Sequence, residues 1–171
     1  MKVKLNYIDT PEAAELENIS EILVKINRSA AVVKGGRRFS FSALSIAGNR
    51  GGIVGHGFGK ARQVPMAIEK AAKDARKHLM RVPLNEDSSI PHEVTGSFCG
   101  SMIRMLPASA GTGIIAGASV RAVCEMAGIK NILTKCYGST NPINVIKSTF
   151  HALSQLRTAE QIIELRSKAR A

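Results

Sequence analysis

Along residues 22–27 the chain alternates with a period of two, Ile22, Val24 and Ile26 interleaving with Leu23, Lys25 and Asn27, and this predicts a first strand that continues toward Val33. Lys34-Gly35-Gly36-Arg37 interrupts the run as a turn. Phe39 and Phe41 resume the alternation between Ser40 and Ser42. The phase then slips at Ala43-Leu44 to give Leu44 and Ile46, so a second strand with a bulge is expected there. Asn49-Arg50-Gly51-Gly52 closes a hairpin onto a third strand over 53–60, whose alternating Gly55, Gly57 and Gly59 leave one face bare. The period next lengthens to that of a helix through Ile68, Ala71, Ala72, Ala75 and Leu79. Pro65 suits its first turn, where the missing N–H would have no partner. The first unit therefore reads as three strands and a helix.

Residues 84–91, LNEDSSIP, are polar, acidic and proline-terminated, which marks a linker. Beyond it, 94–106 patterns as a hairpin or two short strands, SAGTG as a loop, 115–127 as a small-residue helix and 129–137 as a strand. Ser139-Thr140-Asn141-Pro142 carries the cap chemistry of a helix running to about residue 156. A last short helix over 158–168 ends in basic residues, as the helix dipole prefers. The acidic stretch 1–20, with Pro11, reads as an irregular arm. The expected organisation is thus an arm at 1–20, a first domain at 21–84, a linker at 85–91 and a second domain at 92–171 with a helical tail. The fold class is α+β.

Charge changes this picture from architectural to functional. Residues 27–85 hold 12 basic and 2 acidic side chains, against 3 and 5 before them and 9 and 6 after, so most of the net charge of +11 lies in one segment. That is a face for a polyanion rather than a general solubility device. Eight of the 15 glycines fall between Val33 and Pro65, interleaved with Lys34, Arg37, Arg38, Arg50, Lys60 and Arg62. Glycine lets backbone N–H groups approach a ligand and the cations supply charge, a combination suited to a phosphate backbone. With five Phe, two Tyr and no Trp, the chain lacks the rings for an extended base-stacking surface. Recognition of folded RNA by shape and phosphate fits better. Lys70, Lys73, Arg76 and Lys77, on other faces of the helix, extend the same surface.

Other chemistry is absent from the pattern. Cys99, Cys124 and Cys136 are odd in number, widely spaced and flanked by apolar residues, which predicts reduced core thiols and no metal site. His56, His78, His92 and His151 are similarly scattered. No apolar run approaches the roughly 20 residues of a membrane span. Lys2 and Lys4 lead into acidic residues rather than an apolar export core, so a cytoplasmic protein is expected. Gly55-His56-Gly57-Phe58-Gly59-Lys60-Ala61 fails as a phosphate loop, because Val54 stands where its first glycine is required and Ala61 where a hydroxyl should bind magnesium. Gly111-Thr112-Gly113-Ile114-Ile115-Ala116 matches a loose dinucleotide fingerprint before a helix. Yet Pro107 interrupts the feeding strand, and Lys130 and Asn131 occupy the place of the ribose-binding acid. A tight turn is the better reading, with N–H groups that could still hold an RNA phosphate. Glu125 has Arg121 four residues earlier as a partner. Nothing builds a catalytic site, and neither a cofactor nor a small-molecule substrate is expected.

Four segments together carry a specific likeness: Val33-Lys34-Gly35-Gly36-Arg37; the run from Val54 through Gly55-His56-Gly57-Phe58-Gly59-Lys60-Ala61-Arg62 to Pro65; Pro107-Ala108 with Gly111 to Gly117; and Gly138-Ser139-Thr140-Asn141-Pro142-Ile143-Asn144. Over roughly residues 17–157, and in colinear order, they resemble the bacterial type of the small-subunit ribosomal protein five family. Gln63, Ala118 and the turn Gly48-Asn49-Arg50-Gly51-Gly52 depart from its usual pattern. The resemblance implies a first domain similar to double-stranded-RNA-binding modules and a second α/β domain with a left-handed βαβ crossover. It implies a structural, non-enzymatic constituent of the ribosome that binds small-subunit ribosomal RNA, contacts ribosomal proteins four and eight, and supports decoding accuracy.

By the same likeness, Lys34, Gly35, Gly36 and Arg37 form a loop beside the spectinomycin site, and Gly113 and Arg121 lie near an accuracy-linked contact with protein four. Together with the charge pattern this makes Arg28, Lys34, Gly35, Gly36, Arg37, Arg38, Arg50, Gly55, Gly57, Gly59, Lys60, Arg62, Lys70 and Lys73 the candidate RNA-binding residues. A freestanding double-stranded-RNA-binding regulator would share the first unit but has no evident need of the second. A nucleotide-dependent enzyme would need one of the two glycine loops that fail above.

Overall fold

The computed structural model describes residues 7–8 and 18–168, so most of the arm expected over 1–20 lies outside the described residues. Contacts divide the chain into two compact units: one extends to Arg81 and also takes in Glu125–Gly128, while the other holds Val82–Cys124 and the residues from Ile129 onward. The first unit is an antiparallel sheet of β1 (Ser20–Val33), β2 (Gly36–Gly48), β3 (Ile53–Ala61) and β4 (Leu79–Arg81), in that spatial order, with helix α1 (Val64–Lys77) on one face. Lys34 and Gly35 form the two-residue turn between β1 and β2, and Gly36 follows at φ +139°. The β2–β3 turn is built by Asn49, whose Oδ1 accepts from the N–H groups of Gly51 (2.8 Å) and Ile53 (3.1 Å).

Three expectations for this unit are corrected. Leu79 belongs to a fourth strand, not to the helix. α1 ends at the His78 cap, and Leu79–Arg81 pairs with Ile53, Val54 and Gly55. The bulge lies in β1 between Leu23 and Lys25, not in β2 at Ala43-Leu44. β2 loses its alternation there because Ala43, Leu44, Ser45, Ile46 and Ala47 are all buried, so both of its faces are covered. The third correction concerns the bare glycine face, which is filled by α1. A Cβ on Gly57 would overlap the Ala71 carbonyl oxygen and stand 2.8 Å from Ala75 Cα. One on Gly59 would overlap the Ala67 carbonyl, and one on Gly55 the Ala75 carbonyl. The helix residues that meet the sheet are accordingly Ala67, Ala71 and Ala75, all fully buried, while Ile68 and Ala72 sit at the margin. Three glycines against three alanines bring a helix and a strand backbone into direct contact, which no larger residue would allow.

The second unit contains β5 (Val94–Phe98), β6 (Ser101–Pro107), β7 (Ile114–Ile115), α2 (Ala118–Ala127), β8 (Ile132–Gly138), α3 (Pro142–Leu153) and α4 (Ala159–Lys168), the sheet running in the order β5-β6-β8-β7. β7 pairs parallel with β8, so α2 is a crossover between them. Ile114 and Ile115 are spent on that strand, and the helix expected from 115 begins only at Ala118. α3 packs on the sheet so closely that a Cβ at Gly96 would overlap the Ser148 carbonyl. Ile103, Met105, Ile132, Ile146, Phe150 and Leu153 are essentially buried. Each such side chain contributes about 1.5–3 kcal/mol. Asn141 caps α3 by accepting from Ile143 N–H at 3.3 Å. Thr158 and Gln161 cap α4 reciprocally, Thr158 Oγ1 accepting from Gln161 N–H and Gln161 Oε1 from Thr158 N–H.

The segment expected as a linker is anchored by two neighbouring residues. Ile90 is fully buried, and Ser89 Oγ donates to the Asn131 carbonyl at 2.7 Å. The cysteines also differ from expectation: Cys124 is buried, but Cys99 lies exposed at φ +45° in the β5–β6 turn. Burial holds the Cys136 thiol above its ordinary pKa.

Candidate nucleic-acid interface

β1 and β2 run on beyond α1 as a two-stranded hairpin whose residues are exposed on both sides. Antiparallel register assigns each side chain to a face, because directly opposed residues point the same way. The pairs Asn27 with Ser42, Ser29 with Ser40 and Ala31 with Arg38 share the face away from α1, as do Lys25 with Leu44 and Lys60 with Ser42. Lys25, Arg38 and Lys60 thus stand among Asn27, Ser29, Ser40 and Ser42. Lys60 Nζ sits 5.5 Å from the Phe58 ring centroid. On the other face, Arg28 is paired with Phe41 and Val32 with Arg37. Lys34 and Gly35 form the tip. Among residues 27–62 there are seven cations and no acidic residue. Four of them, Arg28, Lys34, Arg37 and Arg38, lie on the outer hairpin, where a polyanion would relieve their mutual repulsion.

The candidate residues are therefore only partly brought together. Arg28, Lys34, Gly35, Gly36, Arg37 and Arg38 occupy the outer hairpin, and Lys60 and Arg62 lie at and just past the end of β3, which pairs with Phe41 and Ser42. Arg50 is remote from them. The 13 residues of β2 separate its turn from the hairpin tip, a span of roughly 40 Å. Its backbone N–H donates to the Met126 carbonyl at 3.0 Å, and that of Gly52 to Ala127 at 2.9 Å. Gly55, Gly57 and Gly59 face α1 and present no Cα surface to a ligand. Lys70 and Lys73 are exposed on α1, but they differ: Lys73 is paired with Glu69 at 2.7 Å, whereas Lys70 forms no ion pair among the described residues. The Lys73 hydrogen bond holds Glu69 below its usual pKa. Arg76 is likewise paired, with Glu21 at 2.9 Å.

In the second unit the Gly111-Thr112-Gly113 turn cannot serve as a phosphate cradle. The N–H groups of Gly111 (3.2 Å) and Gly113 (3.1 Å) both donate to Asn131 Oδ1, and β7 intervenes before the helix. Asn131 is 8% exposed, and its Nδ2 donates to the Asp87 carbonyl at 2.9 Å. One amide side chain therefore ties the turn, β8 and the segment after Val82 together. The only signal of Asn131 in the sequence was its position about 20 residues after the glycines, where an acid is needed for ribose. Gly113 itself lies at φ +76° with open space where a Cβ would point. Arg121 is exposed on α2, as is Glu125, and no ion pair joins them among the described residues.

Among the described residues no three His, Cys, Asp or Glu side chains are grouped to hold a metal ion. No helix of theirs is long and apolar enough to cross a membrane.

Two family models match the chain: ribosomal protein S5, N-terminal domain, over residues 19–83, and ribosomal protein S5, C-terminal domain, over residues 96–166. Among curated relatives, the small ribosomal subunit protein uS5 of Rhodopirellula baltica is 56% identical over 144 residues, covering 84% of this chain and 81% of that protein. Its counterpart from Buchnera aphidicola subsp. Cinara cedri is 53% identical over 150 residues, covering 88% and 91%. That of Blochmanniella floridana is 46% identical over 158 residues, covering 92% and 89%.

Proposed function

The chain belongs to the ribosomal protein S5 family, and from that premise we propose that it is a structural constituent of the small ribosomal subunit, anchored to ribosomal RNA through the outer β1–β2 hairpin. The family is structural and not enzymatic. The protein works ribosome-bound in the cytoplasm. The observation that carries the RNA reading is the run of seven cations without an acid over 27–62, most of them mounted on a hairpin that no other part of its unit covers. Arg28, Lys34, Arg37, Arg38, Lys60 and Arg62 supply charge to phosphates, and Gly35 and Gly36 keep the tip narrow. Lys70 extends the surface along α1. The second unit contacts neighbouring ribosomal proteins, proteins four and eight being the partners, with Gly113 and Arg121 near the contact that supports decoding accuracy.

The test uses cells that depend on variants of the full chain. Gly36→Asp places a Cβ at φ +139°, where L residues are strained, and sets a carboxylate against phosphate. Subunits that contain it are expected to tolerate spectinomycin, whereas Arg121→Ala alters misreading without changing drug response. Unchanged drug sensitivity with the variant demonstrably in subunits overturns the assignment of the tip. Loss of the wild-type chain from small subunits in a high-salt wash overturns the constituent role.

A further inference from the structure

We propose that Arg28 and Phe39 form a stacking platform that receives one unpaired RNA base. The inference rests on the RNA-binding reading of the hairpin and adds a site to it. Register places Arg28, Ala30 and Val32 on the same face as Phe41, Phe39 and Arg37. This is the face that α1 covers farther in, but the cover ends at Phe41, which packs with Ala43, Ala67 and Ala71. Phe39 is the next position outward. Of the five phenylalanines, it alone is exposed, at 42%, and Val32 beside it is 82% exposed. The strand partner of Phe39 is Ala30, itself exposed and too small to shield the ring. A ring 42% exposed beyond the reach of α1 keeps part of its surface available to a ligand.

The ligand class follows from what lies against the ring. The Arg28 guanidinium carbon stands 4.8 Å from the Phe39 centroid, so the phenyl face already carries a cation. A guanidinium is planar and weakly hydrated and offers a second flat surface with donors around its edge. A nucleobase stacks on either plane, and its phosphates meet Arg37 and Lys34 close by. The absence of any acid over 27–62 suits a polyanion, and the ring favours one with planar groups. An acidic peptide would use the charge and leave the ring idle. The shortage of aromatics noted above excludes an extended single-strand track, not one base.

The experiment measures binding of the full chain to two RNAs, a continuous duplex and the same duplex with one bulged 2-aminopurine, whose fluorescence is quenched by stacking. The wild type is expected to bind both, to prefer the bulged RNA and to quench it. Phe39→Leu, at an exposed strand position, is expected to weaken the bulged complex about tenfold and abolish quenching, with duplex affinity and salt slope unchanged. Phe39→Tyr keeps the ring and is expected to retain both signals, which separates loss of stacking from loss of folding. Arg28→Lys keeps the charge, loses the plane and falls between. If Phe39→Leu binds and quenches the bulged RNA like the wild type, the platform is overturned and the RNA-binding hairpin stands. If the wild type binds neither RNA, both fall.

Discussion

Gly57 sits against the backbone of α1, which leaves no room there for a side chain. A valine suits an open strand, but here its Cβ would meet the Ala71 carbonyl oxygen and the Ala75 N and Cα, none of which can rotate aside. Overpacking ordinarily costs about 1–3 kcal/mol. With backbone as the obstacle, Gly57→Val is expected to exceed about 3 kcal/mol and to leave the first unit unfolded in urea titration. Gly35→Ala, with nothing within 4 Å of its Cβ, is expected to fold as the wild type does. A folded Gly57→Val protein would sink the account of the glycine–alanine contact. Asn131 is the corresponding residue of the second unit. Asn131→Ala strands the N–H groups of Gly111 and Gly113 and releases the Asp87 carbonyl, which is expected to cost about 2 kcal/mol in denaturant melts. A loss below about 0.5 kcal/mol would show that water replaces the amide at no cost.

At the scale of elements, α1 has a sheet-facing stripe of alanines and an outer arc where Lys73 and Arg76 already hold acidic partners. Cations of this helix are therefore not equivalent as phosphate ligands. Each phosphate neutralised steepens the log–log salt dependence of RNA affinity by roughly 0.7–0.9. Lys70→Ala is expected to remove about that much, while Lys73→Ala leaves the slope unchanged. Equal changes in both variants would place the RNA on the outer arc instead. The same elements show where pattern reading worked and where it did not. Hairpin turns and the Asn141 cap were legible because glycine and asparagine act on the backbone within a few residues. The start of α2 was not, since Ile114 and Ile115 have no strand signal apart from the β8 neighbour that pairs with them.

For the molecule as a whole, the basic segment and the family likeness were readable along the chain, because charge counts and local motifs do not depend on what packs against what. The alternation of apolar and polar positions likewise laid out an α+β chain, because strand and helix periods are read within a few residues. Placement was another matter. Gly55, Gly57 and Gly59 looked like a surface left bare for RNA, and only the fold revealed that α1 occupies it. Arg50 counted with Lys34 in the charge segment, although a 13-residue strand separates them. Phe39 and Arg28 are 11 positions apart and acquire a shared role only when register brings a ring beneath a guanidinium. The sequence by itself determined residue chemistry, charge and local turns, which act over a few bonds or through bulk electrostatics. The tertiary structure alone decided which faces are covered and which side chains meet, because a glycine or an arginine carries no record of the distant backbone that will lie beside it.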